Sequence, residues 1–206
     1  MIPKEEPLRV KPRVFLDANV LYSRVLRDYL LYSATLRLIS VQWSCEILDE
    51  VITHLMKNRP TFTPTSAQHL LEVLEKHFPY SMVKTNAQAI TQAQNVHLPD
   101  ENDHHVFVSA ISGQATILCT NNIRDFPKEM LLPFEITPKT PDQLLTELIT
   151  ASSETMLAVH KMTVINMPNS SDQLTLNALQ RAGATNTAEI IADLLQSRET
   201  LHRTQQ

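Results

Sequence analysis

Glycine is nearly absent. Only two occur among 206 residues, Gly113 and Gly183. Two glycines cannot build a GxGxxG or Walker A loop, so a glycine-rich phosphate cradle is excluded. Collagenous and glycine-linker architectures go with it. Cysteine is as scarce: Cys45 and Cys119 have no CxxC partner. That excludes a disulfide framework and a zinc ribbon, and a reducing cytoplasm fits. No run of about 18 apolar residues occurs, so nothing reads as a membrane span. The opening MIPKEEPLRVKPR mixes charge with proline and lacks the apolar core of a signal peptide. No internal repeat and no low-complexity tract is visible.

What is present is a globular composition, 43% hydrophobic and 19% charged. The length suits one α/β domain with an appendage, or two small domains, and can bury a core without staples. A net charge of −4 excludes a wholly basic nucleic-acid binder. A local basic patch can still act against an acidic average.

Residues 1–12 read as a loose arm. Val14-Phe15-Leu16 is a buried strand ending at Asp17. Apolar spacing predicts a helix over 19–38, a strand over 39–43, and a helix from the Ser44 cap to Asn58, stopped by Arg59-Pro60. Another helix starts at Thr65 or Ser66 and ends near His77. Residues 81–84 suit a short strand and 86–95 a helix. Pro99-Asp100 opens the next helix, with Gly113 as its C-terminal cap. Residues 115–119 form a buried strand, 134–137 a last strand, and Pro141-Asp142 opens one more helix. After about residue 150 the pattern is helical only. Residues 171–181 and 187–195 read as a hairpin turning at Gly183, and residues 197–206 as a fraying end. Strands separated by helices predict parallel βαβ units in a three-layer α/β sheet, with ligands at the strands' carboxyl ends.

Four acidic positions stand out there. Asp17 sits at the sheet rim, equally suited to a site and to a helix cap. Asp49 and Glu50 flank the stripe of Ile47, Leu48, Val51, Ile52 and Leu55 on opposite edges. Periodicity does not choose between them, and either alone reads first as a solvated helix charge. Asp100 suits an N-cap with Asp103 at N3, where carboxylates favour the positive helix end. Asp103 also precedes the apolar face by three residues and can point into a cleft. Asp125 alone is a loop residue. Three or four carboxylates converging at strand ends repel one another unless a cation neutralises them. Oxygen ligands without cysteine or an HxxxH pair select Mg²⁺ or Mn²⁺. Metal-assisted phosphodiester hydrolysis is the chemistry such a set serves.

Four stretches in order, VFLDANVLYS, SCEILDEVITHL, PDENDHHVFVSAI and ATILCTNNIRDFP, resemble the PIN-domain ribonucleases, and among them the VapC-like toxins of prokaryotic toxin–antitoxin pairs. The resemblance covers roughly residues 13–145. It implies a PIN domain over 13–148, a three-layer α/β/α fold with a central parallel sheet, and a helical extension over 149–206 with a frayed tail. The stretch VINMPNSSDQLTLNALQRAG is similar to a helical C-terminal extension of one toxin subgroup. The resemblance selects Glu50 over Asp49. It implies Asp17, Glu50 and Asp103 as catalytic metal ligands for Mg²⁺ or Mn²⁺. Many members carry an Asp where Asn122 stands, so the fourth acidic role falls on Asp125 or is shared with Asn122. Asn19, Asp100, Thr120 and Asn122 would support the site. Arg24, His54 and Arg124 would lie on the substrate side, while His105 would pack and hydrogen-bond. The implied partners are RNA and a cognate antitoxin, with a homodimer allowed and no membrane.

The leading expectation is therefore a metal-dependent endoribonuclease. A non-catalytic PIN scaffold binding RNA or a protein is the alternative, favoured by the neutral Asn122. An aspartyl-nucleophile phosphatase would need a second Asp two residues after Asp17, where Asn19 stands.

Overall fold

The computed structural model describes residues 11–204. Residues 1–10 of the expected arm lie outside them. Four short parallel strands form one sheet in the order β2-β1-β3-β4: β1 (Arg13–Leu16), β2 (Ser40–Gln42), β3 (Ile117–Cys119) and β4 (Thr137–Lys139). β1 and β3 occupy the centre because, apart from Arg13 at the start of β1, they are apolar; Val14, Phe15, Leu16, Leu118 and Cys119 are fully buried. The chain leaves β1 towards one edge and later returns past it to β3. Right-handed crossovers in opposite directions put their helices on opposite faces, which yields the three-layer α/β/α architecture.

The first crossover carries α1 (Ala18–Leu21) and α2 (Arg24–Thr35). The sequence pattern suggested one continuous helix; the structure breaks it at Tyr22-Ser23. Ser23 is extended, and the Arg27 guanidinium donates to the Leu21 carbonyl freed by the break, at 2.8 Å. The second crossover carries α3 (Cys45–Asn58), α4 (Pro64–His77), α5 (Ala87–Ala93) and α6 (His104–Ser112). The Ser44 hydroxyl caps α3 as expected. α4 begins earlier than its spacing suggested, because Pro64 suits the first turn and the Thr63 hydroxyl caps it. Residues 81–84 form no full strand. Met82 makes a single bridge to Trp43, with Trp43 N–H donating to Ser81 O and Val83 N–H to Trp43 O. Asp100 opens a 3-10 turn over Glu101–Asp103 before α6 starts.

Gly113 ends α6 without the left-handed turn expected of a glycine cap. Its φ is −78°, and Gln114 takes the positive φ of 50°. Glycine is required at 113 for space: a Cβ would stand 2.8 Å from Gln42 Oε1 and 2.9 Å from Val83. The last strand also lies later than expected. Pro133 sits in a 3-10 turn over Leu132–Phe134 that follows α7 (Lys128–Leu131), and Glu135 turns left-handed. β4 therefore starts at Thr137 and carries Pro138. Thr137 N–H and Lys139 C=O bond to the β3 side, so Pro138, between them, faces the sheet edge.

Four helices follow: α8 (Pro141–Ala151), α9 (Ser153–Asn166), α10 (Asp172–Arg181) and α11 (Thr185–Thr204). Gly183 makes the α10–α11 turn at φ 84°. α11 runs through Thr204, so residues 197–204 of the expected fraying end are helical, and residues 205–206 lie outside the described residues. Leu176, Leu179 and Ile191 are buried in the same core as the sheet, Ile190, Leu194 and Leu195 pack partly against it, and Leu174 stays half exposed. A polar clasp ties these helices to α2. Tyr29 Oη lies 2.5 Å from Nδ1 of fully buried His160, whose Nε2 lies 3.0 Å from Asp172 Oδ1. A carboxylate only accepts, so Nε2 carries the proton and Tyr29 donates to Nδ1. Burial pushes the His160 pKa down, against the hydrogen bond it donates to Asp172, which raises it.

Candidate active site

β1 and β3 are neighbours whose onward connections run to opposite edges. Their carboxyl ends frame the switch point, where open α/β sheets hold ligands. Asp17 ends β1 and Thr120 follows β3. The Asp17 N–H donates to Cys119 O at 3.1 Å, which extends the pairing to the last strand residue. The Asp17 carboxylate is buried. Its Oδ2 accepts from Thr120 Oγ1 at 2.6 Å and from Asn19 Nδ2 at 2.5 Å. Asn19 in turn accepts the Asn121 N–H at 2.9 Å and donates to Thr120 Oγ1 at 3.0 Å. Asp17 makes no side-chain capping bond to α1. Burial pushes its pKa up, and the Thr120 hydrogen bond holds it down in part.

A cleft of about 560 Å³ opens beside it, lined by Asp17, Asn19, Glu50, His54, Lys57 and Asp103 among others. Glu50 reaches it from α3, and Asp49 also lies on its rim. Desolvation raises the Glu50 pKa, His105 opposes, and Asp17 adds to the rise. His105 Nε2 stands 2.8 Å from Glu50 Oε1. That approach lies outside hydrogen-bond alignment, since Nε2 is buried without a hydrogen-bond partner among the described residues, and it is an ion pair only with the imidazole protonated. Nδ1 faces the Asn102 carbonyl at 2.8 Å, so that nitrogen is a donor.

Asp103 joins this cleft to a second acidic group. Asp100, Asp103 and Asp125 each offer a carboxylate oxygen within 4.8 Å of the others. Desolvation, then Asp17, Asp100 and Asp125, push the Asp103 carboxyl up to about 6. Asp103 precedes α6 without a side-chain capping bond, so its carboxylate is available to the cleft. Asp100 caps the 3-10 turn by accepting the Asn102 N–H at 2.9 Å. Asp125 accepts from the Asn122 side chain, while the Asn122 N–H donates to Thr120 Oγ1 at 2.9 Å. The loop after β3 is thus tied to Asp17 through one hydroxyl.

The structure brings Asp17, Glu50 and Asp103 to one cleft and sets Asp125 and Asp100 beside Asp103. Asp17 and Glu50 do not join the 4.8 Å group. His54 stacks on Tyr22, ring centroids 4.2 Å apart, at the cleft wall. Arg24 turns away to a neighbouring groove, and Arg124 is exposed in the 3-10 turn Ile123–Asp125. Sequence reasoning gave Lys57 no role and did not pair His105 with Glu50. No local signal marked that contact, which depends on how α3 meets α6. The carboxylates here supply only oxygen donors, as a hard divalent cation requires. No curated protein and no solved structure matches the chain. The family model described as PIN domain matches residues 13–124, the span that carries Asp17, Glu50, Asp103 and Thr120, and the chain belongs to the PIN-domain family.

Proposed function

We propose that this protein is a metal-dependent endoribonuclease, the toxin of a toxin–antitoxin pair, acting in the cytoplasm and held in check by a cognate antitoxin. The observation that carries the nuclease reading is the position of Asp103, between Asp17 in the cleft and the Asp100–Asp125 group, where desolvation first and then these carboxylates raise its pKa. A carboxyl in that position gains from a cation that replaces its proton. Asp17, Glu50 and Asp103 would hold Mg²⁺ or Mn²⁺, with Asp125, Asn122 or Asp100 completing the set. Such an ion, when bound, lowers the pKa of water and offsets charge on a phosphate oxygen. The chain's own part is orientation. Thr120 and Asn19 hold the Asp17 carboxylate in one rotamer. Lys57 places a cation on the cleft wall for a phosphate. The toxin role and the antitoxin rest on the sequence resemblance.

The test is cleavage of a mixed-sequence RNA with Mn²⁺ or Mg²⁺, with EDTA as control. Asp17→Asn keeps an oxygen facing Thr120 and Asn19 and should fold. It should lose cleavage by about a hundredfold or more, the scale seen when one electrostatic stabiliser is removed. Parent protein that leaves RNA intact with both ions, or an Asp17→Asn variant that cleaves normally, overturns the nuclease reading.

A further inference from the structure

A second groove, of about 450 Å³, opens beside the acidic cleft. Asn19, Tyr22, Arg24 and Arg59 line one side, and Met167 and Arg181 of the C-terminal helices line the other. Asn19 and Tyr22 also line the acidic cleft, so the two depressions adjoin across these residues. Arg59 and Arg181 are exposed, and among the described residues neither guanidinium has a hydrogen-bond or ion-pair partner. Arg24 donates to the Asn166 carbonyl at 3.0 Å and lies 3.6 Å from Asp28. Arg27 lies close enough to feel Arg24 and Arg59: burial first, then these two, lower its pKa, with Asp28 opposing. Three arginines, Arg24, Arg59 and Arg181, therefore line one groove in a chain whose net charge is −4.

An acidic cleft by itself repels a polyanion, and a polyanionic substrate needs positive charge alongside it. The unpaired guanidiniums supply this charge next to the carboxylates. Guanidinium forks match phosphate oxygens in two-point contact. At the junction, the Tyr22–His54 stack offers an aromatic surface of the kind unpaired bases pack on.

We propose that this groove is the binding track for single-stranded RNA, with Arg59 and Arg181 on its phosphates to one side of the acidic cleft and Tyr22 at the junction. This rests on the nuclease reading for the cleft but not on metal binding. α10 then supplies half of the track, so the C-terminal helices bind substrate as well as support the core.

The test uses the full chain and a short fluorescein-labelled single-stranded RNA in EDTA, followed by anisotropy over a series of salt concentrations. Arg59→Ala with Arg181→Ala should weaken binding by about tenfold or more, the scale of lost charge-assisted bonds. It should flatten the slope of log affinity against log salt by about 1.4, at about 0.7 per phosphate contact. The melting temperature should not fall, because neither side chain has a partner to lose and removing Arg59 relieves its repulsion of Arg27. Asp17→Asn should bind at least as tightly as the parent. An unchanged affinity and slope in the double variant overturns the track. So does a parent that binds no RNA, or one that binds a poly-glutamate peptide in its place. Cleavage on the same samples separates the two readings. A parent that binds through the arginines but never cleaves leaves the track standing and removes the nuclease. A parent that cleaves while the double variant binds unchanged does the reverse.

Discussion

Replacing Asp103 with asparagine removes the charge that sits between two acidic groups. The carboxyl's pKa is raised from 3.8 to about 6 by desolvation and by Asp17, Asp100 and Asp125. At about 1.4 kcal/mol per tenfold change in proton affinity, the full rise would correspond to about 3 kcal/mol. Asp103 is partly exposed, and solvent screening reduces this to about 1 kcal/mol. No capping hydrogen bond is lost, because Asp103 makes none. Asp103→Asn should therefore melt roughly 2–4 °C above the parent near neutral pH in EDTA. The raised pKa means the folded state binds this proton more tightly than the unfolded state. The parent accordingly gains stability as pH falls from about 6 toward 3.8, and the advantage of Asn shrinks over that window. Saturating Mn²⁺ should invert the order. At a hundredfold excess over its dissociation constant an ion adds about 2.7 kcal/mol to the parent, and the variant should gain less. Thermal melts followed by circular dichroism, with EDTA and with Mn²⁺, read all three effects. A variant that melts below the parent in EDTA, or a parent indifferent to Mn²⁺, would refute the electrostatic reasoning.

Two further outcomes follow from the same geometry. His160→Leu strips the clasp and leaves the buried Tyr29 hydroxyl unpaired, so unfolding by denaturant should show a loss of about 1–3 kcal/mol. Because His160 is held neutral with a lowered pKa, its own contribution to the parent's stability should fall as pH drops below about 6.5, where the unfolded chain takes up the proton, against the opposite contribution of Asp103. The Leu variant should lack that component, and a variant as stable as the parent shows the clasp to be idle. Asn122→Asp sets a second carboxylate against Asp125; titration calorimetry should find tighter Mn²⁺ binding and melting should find a weaker metal-free fold. Equal Mn²⁺ affinity would remove the loop after β3 from the site.

Much of the architecture was legible because it depends on local chemistry. Apolar runs marked β1 and β3, Ser44 marked the start of α3, and Gly183 marked the last turn. The departures depend on side-chain contacts that apolar spacing does not register. The break at Tyr22-Ser23 is stabilised by Arg27, a full turn further on, and Gly113 answers to Gln42 and Val83 from elsewhere in the fold. β4 tolerates Pro138 only because that position faces the sheet edge. In the cleft, Asp17 could be read from its place after an apolar strand. Asp49 and Glu50 were equivalent by periodicity, and both reach the cleft. The arginine groove was invisible, since Arg59 read only as a helix stop and Arg181 only as the end of a hairpin helix. Their proximity exists only once α10 has packed against the first crossover.

The two borders of the sheet bear on how copies of this chain behave in a crowd. A bare strand border is a template for a neighbour's strand, the usual seed of aggregates. Here β4 turns Pro138 outward, where it has no N–H to offer. On the opposite side, Trp43 hands its outward pair of bonds to Ser81 and Val83, so a piece of the same chain already occupies that berth. With strands of three or four residues between these two ends, strand-to-strand growth finds little purchase, and self-association of the folded protein is steered to helical surfaces.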